Sequence, residues 1–163
     1  MPFQSFMEIV GEERQRQALS AVFGCLAPGG RFICTLHNPV VRRTQVDGAL
    51  RIAGRFPTKD GTLVVSGFEQ GGRPVVTRLQ FFEFFGNDGR LRSKQLLPME
   101  FELVEKAHFE SMARDAGFRA IDLHGGYDRS PFDENRSPVM IWILQKGDAQ
   151  ASARADAPQA ARH

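Results

Sequence analysis

Apolar positions change their spacing along this chain, and each change marks a new element. Leu19, Val22, Phe23 and Leu26 fall at i, i+3, i+4 and i+7, the spacing that lines one face of a helix. The predicted helix covers residues 12–26, with Glu12, Glu13, Arg14 and Arg16 on its polar side and first turns. Acidic residues at the start suit the positive end of the helix dipole. Pro28-Gly29-Gly30 stops the helix, because proline cannot continue the hydrogen-bond ladder and glycine tolerates the turn. Residues 32–36 then form a near-continuous apolar run, expected of a strand covered on both faces. Helix, tight turn and buried strand make an α/β unit.

The middle of the chain has a different period. Leu50, Ile52 and Phe56 alternate with Arg51 and Arg55, and Met99, Phe101 and Leu103 alternate with Glu100 and Glu102. One face of such a strand is buried and the other is wet. Strand-like runs at 50–56, 62–68, 75–85 and 91–103 are separated by Asp60-Gly61, Gly71-Gly72 and Asn87-Asp88-Gly89, the residues that tight hairpins use. An antiparallel meander of three or four strands is predicted over 48–104, with Pro98 expected to break or bend the last one. The α/β rhythm then resumes. Phe109, Met112, Ala113 and Ala116 stripe a helix over 106–116, Gly117 stops it, and strands follow at 119–124 and 139–145. The loop 125–138 is rich in Gly, Asp, Pro and Ser, and residues 147–163 are Ala-rich, polar and unpatterned, which predicts a disordered tail.

Composition narrows the class. At 163 residues, 42% hydrophobic and 25% charged, the chain is an ordinary globular domain and too short for two. No apolar run approaches the roughly 20 residues needed to span a bilayer, and no signal peptide opens the chain. Cys25 and Cys34 lack any metal or disulfide spacing, so reduced, buried thiols and a cytoplasmic protein are expected. The net charge of +2 is uneven: ten Lys/Arg stand against five Asp/Glu over residues 40–97, giving +5 there and −3 elsewhere. A basic surface can attract an acidic ligand or a nucleic acid, but these charges alternate with apolar residues as on the solvated face of a sheet. Nucleic acid is therefore not the expected partner. No Ser/His/Asp or Cys/His pattern supports hydrolysis, and His108 and His124 have no companion at metal-ligand spacing. No metal site is expected.

Four stretches carry a resemblance. They are Leu26-Ala27-Pro28-Gly29-Gly30-Arg31-Phe32; Phe109-x-x-Met112-Ala113-x-x-Ala116-Gly117-Phe118; Gly126-Tyr127-Asp128-x-Ser130-Pro131-Phe132 with Ser137-Pro138-Val139-Met140-Ile141; and Met1-Pro2-Phe3-Gln4-Ser5-Phe6. In order and spacing they resemble the C-terminal half of a class I S-adenosylmethionine-dependent methyltransferase of the small-molecule type. The resemblance implies an α/β fold: a partial Rossmann-like methyltransferase sheet (its last three strands, mixed) with the inserted antiparallel β-meander acting as a lid. The strand 139–145 would lie in the middle, antiparallel to both neighbours. Residues 1–146 would form an incomplete methyltransferase domain and 147–163 the tail.

By the same resemblance the pocket lies at the ends of two strands, at residues 2–6 and 37–39. Phe3 and Gln4 would meet the cofactor S-adenosylmethionine, or simply start a helix. His37 would be a catalytic base or substrate contact, or a satisfied structural histidine. Phe6, Asn38, Phe82 and Tyr127 would touch the small-molecule substrate. The Phe81-Phe82-x-Phe84-Phe85 cluster could instead be core between the meander and the main sheet, and Tyr127-Asp128 could be turn chemistry. The family's Gly-x-Gly cofactor loop, its acidic ribose-binding residue and its adenine-side polar residue have no counterpart here. A complementing N-terminal half is therefore expected, or a homodimer joined through the sheet edge left bare. The alternative is a non-catalytic remnant that binds a ligand or partner.

Overall fold

The computed structural model describes residues 1, 4–71 and 73–147; Phe3 and residues 148–163 of the expected tail lie outside them. The first helix, α1 (Glu12–Cys25), opens with Glu12 and Glu13 in its first turn, and β1 (Arg31–His37) follows the Pro-Gly-Gly turn. A short helix α2 (Pro39–Arg43) comes next, capped by Asn38. Four strands make the meander: β2 (Arg51–Thr58), β3 (Gly61–Gly71), β4 (Val75–Gly86) and β5 (Leu91–Glu102). Helix α3 (Lys106–Asp115), β6 (Phe118–His124) and β7 (Val139–Lys146) complete the chain.

The strands form two sheets, in the orders β1-β7-β6 and β2-β3-β4-β5. In the small sheet β7 is central and antiparallel to both neighbours, with Cys34 opposite Trp142 and Leu123 opposite Trp142 on the other side. Its composition explains the place: Val139, Met140, Ile141, Trp142 and Leu144 are all buried, as a strand covered on both faces requires. This is the α/β, partial Rossmann-like sheet with an inserted antiparallel meander. Among the described residues no helix is long and apolar enough to cross a membrane.

The core is aromatic. Phe109 stands edge-on to Phe6 at 5.3 Å and tilts against Trp142 at 5.4 Å, while Phe118 meets Phe23 at 5.1 Å and Phe32 at 5.9 Å. Offset and edge-on pairs of this kind satisfy the ring quadrupoles as well as burying area. Val76 and Phe101 bring β4 and β5 into the same cluster, which fastens the meander to the end of β1.

Several expectations need correction. The meander's aromatic cluster is not the seam between sheets: Phe81, Phe82, Phe84 and Phe85 are all half-buried, since alternation sends them to opposite faces. Strand β5 runs unbroken through Pro98, paired with Leu79. It is the edge strand, where a missing N–H need not interrupt a ladder. Cys34 is buried, but Cys25 is exposed at the end of α1. The polar residue Gln15, which the apolar pattern does not mark, is fully buried with Leu19. Four residues before Leu19, it continues the same helical face.

Candidate functional site

The end of β1 is where the small sheet, the N-terminal segment and the meander converge. Thr35 and Leu36 are buried in β1 and His37 emerges half-buried at its end. A 3-10 turn (Ser5–Glu8) packs there, entered through Gln4, whose φ is +60°. Its Met7 Sδ accepts the His37 backbone N–H at 3.2 Å. From the other side the inner face of the meander supplies Phe101, whose ring lies 6.3 Å from the imidazole. A small cavity of about 70 Å³ remains, lined by Gln4, Met7, Glu8, His37, Arg78, Met99 and Phe101.

Charge surrounds this cavity in an ordered way. Glu69 of β3 faces Arg78 of β4 in register, and Arg78 Nε donates to its Oε1 at 2.7 Å. Arg42, from the last turn of α2, donates to the other oxygen of Glu69. Both guanidinium groups lie over the Phe101 ring, at 5.8 Å for Arg42 and 5.5 Å for Arg78, within the range of cation–π attraction. The His37 pKa is pushed down to about 4, first by burial and then by Arg42 and Arg78, with Glu69 acting against them. Its imidazole is neutral at pH 7. It can accept a hydrogen bond from an acceptor's N–H or O–H, but it is too weak a base to hold that proton for long.

The structure gathers some of the sequence-predicted residues and disperses others. Gln4 and His37 line one cavity. Phe6 is fully buried against Phe109 and faces no opening. Asn38 is also buried. Its amide donates to the carbonyls of Glu134 and Ser137 at 2.7 and 2.8 Å, and its Oδ1 accepts from the Val40 N–H at 3.1 Å. It locks α2 to the loop before β7, leaving a substrate no free polar atom of that side chain beyond a second lone pair. Phe82 sits on the inner face of β4, between Val65 and Gln95, away from the His37 cavity. Tyr127 is 71% exposed in the loop that Asp128 closes by accepting from the Ser130 N–H at 3.1 Å.

Sequence reasoning missed Arg42, Glu69, Arg78 and Phe101. It assigned the basic charges of 40–97 to a solvated face, yet the Arg42 and Glu69 side chains are only 12% and 15% exposed. One signal pointed to them. Val76 and Arg78 share a face by the period of two, and the turn at Gly71 makes Glu69 the partner of Arg78.

A methyl donor of the S-adenosylmethionine kind needs a glycine-rich strand-to-helix turn against which its backbone-binding portion can lie. The described residues do not fit that need. Strand β1 leads into α2 through Asn38-Pro39, not glycine. A Cβ on Gly125 would lie 2.1 Å from Ser137 Oγ, so that glycine serves close packing of its own loop.

The sequence matches no protein-family model and no curated protein. Solved structures do resemble the fold. An S-adenosylmethionine-dependent methyltransferase from Clostridium acetobutylicum superposes with a TM-score of 0.72 at 14% identity, over 89% of this chain and 56% of that one. The sugar N-methyltransferase KedS8 from a Streptoalloteichus species gives 0.68 at 15% identity, over 88% and 53%. The CcbJ methyltransferase from Streptomyces caelestis gives 0.66 at 17% identity, over 89% and 58%. The chain thus shares the fold of part of these methyltransferases and spans about half their length. At such identities the likeness is one of fold.

Proposed function

We propose that this chain forms the acceptor side of a methyltransferase that uses S-adenosylmethionine and a small-molecule acceptor. The observation that carries the proposal is the His37 cavity at the end of β1, closed by the meander and by Gln4, in a fold shared with methyltransferases. Methyl transfer from a sulfonium requires chiefly alignment in a water-poor pocket, and little proton chemistry. The site suits that requirement. Neutral His37 orients the acceptor's hydrogen, Phe101 and Met99 exclude water, and the paired arginines fix the wall.

The donor-binding loop has no counterpart among the described residues, so the proposal requires a donor-binding segment on the open edge of β1. In that direction, among the described residues, Met1 alone pairs with the strand. Its amino group donates to the Ile33 carbonyl at 2.6 Å, and its carbonyl accepts the Thr35 N–H at 3.2 Å, the pattern of a parallel neighbour. The same lack favours the second reading, a non-catalytic binding module.

Labelled S-adenosylmethionine added to extracts of the native source separates the two. Label is expected in a low-molecular-weight acceptor when the chain is present, absent when it is deleted, and not restored by His37→Ala. Equal labelling in all three extracts would overturn the enzymatic reading.

A further inference from the structure

A second and larger cleft opens on the inner face of the meander, on the far side of Arg78. It holds about 570 Å³ and is lined by Arg42, Thr44, Gln45, Ala49, Arg51, Ala53, Gly67, Phe68, Glu69, Arg78 and Gln80. Register explains the hollow. Gly67 pairs with Arg51 on one side and Gln80 on the other, so the middle of that row has no side chain. A Cβ there would lie 2.7 Å from the Leu79 carbonyl oxygen, so the strand cannot fill its own gap. The small residues Ala49, Ala53 and Gly67 share the lining with three arginines.

The charges do not cancel inside. Glu69 is shared by Arg42 and Arg78, and one carboxylate cannot neutralise two guanidinium groups. Arg42 Nε is buried without a hydrogen-bond partner. Arg51, at the rim, is held by Asp47 at 2.6 Å, with the two side chains 59% and 47% exposed. One positive charge therefore remains in a partly desolvated hollow, where an unmatched charge is costly.

We propose that this cleft binds an organic oxyanion, a carboxylate or phosphate monoester on an apolar body, as the charged portion of the acceptor whose reacting atom lies at His37. Guanidinium groups take either oxyanion through paired N–H donors, and the Ala49 and Ala53 side chains with the bare backbone at Gly67 take the apolar body. The volume suits a small molecule. Arg78 lines both hollows, which makes them two compartments of one site. The assignment rests on the methyl-transfer reading for the ligand's role as acceptor, but not for the binding itself.

The test is isothermal titration of the full chain, without methyl donor, using phenyl phosphate, benzoate and benzyl alcohol as probes. Both anions should bind, the neutral alcohol should not, and the tighter anion assigns the headgroup. Arg51→Gln should weaken binding about tenfold, the worth of one charge-assisted hydrogen bond. Asp47→Asn should strengthen it by freeing Arg51, and added salt should weaken it. Both substitutions are at exposed side chains, and a thermal melt checks that each variant folds. The assignment is overturned if benzyl alcohol binds as tightly as the anions, or if neither variant changes the affinity. Anion binding without methyl transfer in the labelling assay would overturn the methyl-transfer reading alone. Methyl transfer without anion binding would overturn this assignment alone.

Discussion

His37 illustrates how one residue can be shaped by its neighbours before any ligand arrives. Its pKa falls from 6.5 to about 4 on folding, chiefly because the ring is buried. The unfolded chain therefore binds a proton that the folded chain resists. This contribution to stability is complete above about pH 6.5 and is lost as the pH falls towards about 4. The urea midpoint should drop between pH 7 and pH 5, and His37→Gln should flatten that drop; an unchanged slope in the variant would remove His37 as its cause. The cysteines offer a second contrast. Burial pushes the Cys34 thiol up to about 12, whereas Cys25 is exposed. A thiol reagent should modify Cys25 in the folded protein and Cys34 only on unfolding, because the thiolate is the reacting form. Equal rates for both would contradict the packing around β1.

At the scale of elements, the Glu102 carboxylate bridges α1 and β5. Glu102 accepts the Gly11 N–H at 2.8 Å and the Gln15 amide at 3.3 Å, so it ties the start of the helix to the end of the meander. Glu102→Ala should cost about 1 kcal/mol by removing acceptors from two part-buried donors, of which the Gln15 amide keeps the Ile9 carbonyl, measured as a loss of urea stability. A loss no larger than that of an exposed substitution would show that the tie is dispensable. This tie was not legible in the sequence, since nothing in the spacing of Gln15 and Glu102 connects them. The long elements were legible, because α3 and the meander strands each hold one period over many residues and β7 is a sustained apolar run. The 3-10 turn and α2 span four and five residues, too few for a period to show. The Glu69–Arg78 pair was legible only once the hairpin register was known. The partnership with Arg42 needed the tertiary fold, because α2 brings that guanidinium from 27 residues away.

For the molecule as a whole, the sheet edge and the site lead to the same requirement. Of the large apolar residues on β1, Phe32 and Leu36 are covered by the core while Ile33 is 53% exposed. Among the described residues, the strand's other edge carries the backbone of Met1 alone. A segment placed against that edge would cover Ile33 and stand beside Gln4 and His37. The proposed function implies a division of labour, with this chain holding the acceptor and the added segment holding the methyl donor. Isothermal titration of the 163-residue chain with S-adenosylmethionine tests it most directly. The account predicts no measurable binding, because the missing backbone and carboxylate contacts would each contribute about 0.5–3 kcal/mol and together several powers of ten in affinity. A micromolar dissociation constant for the chain alone would contradict it.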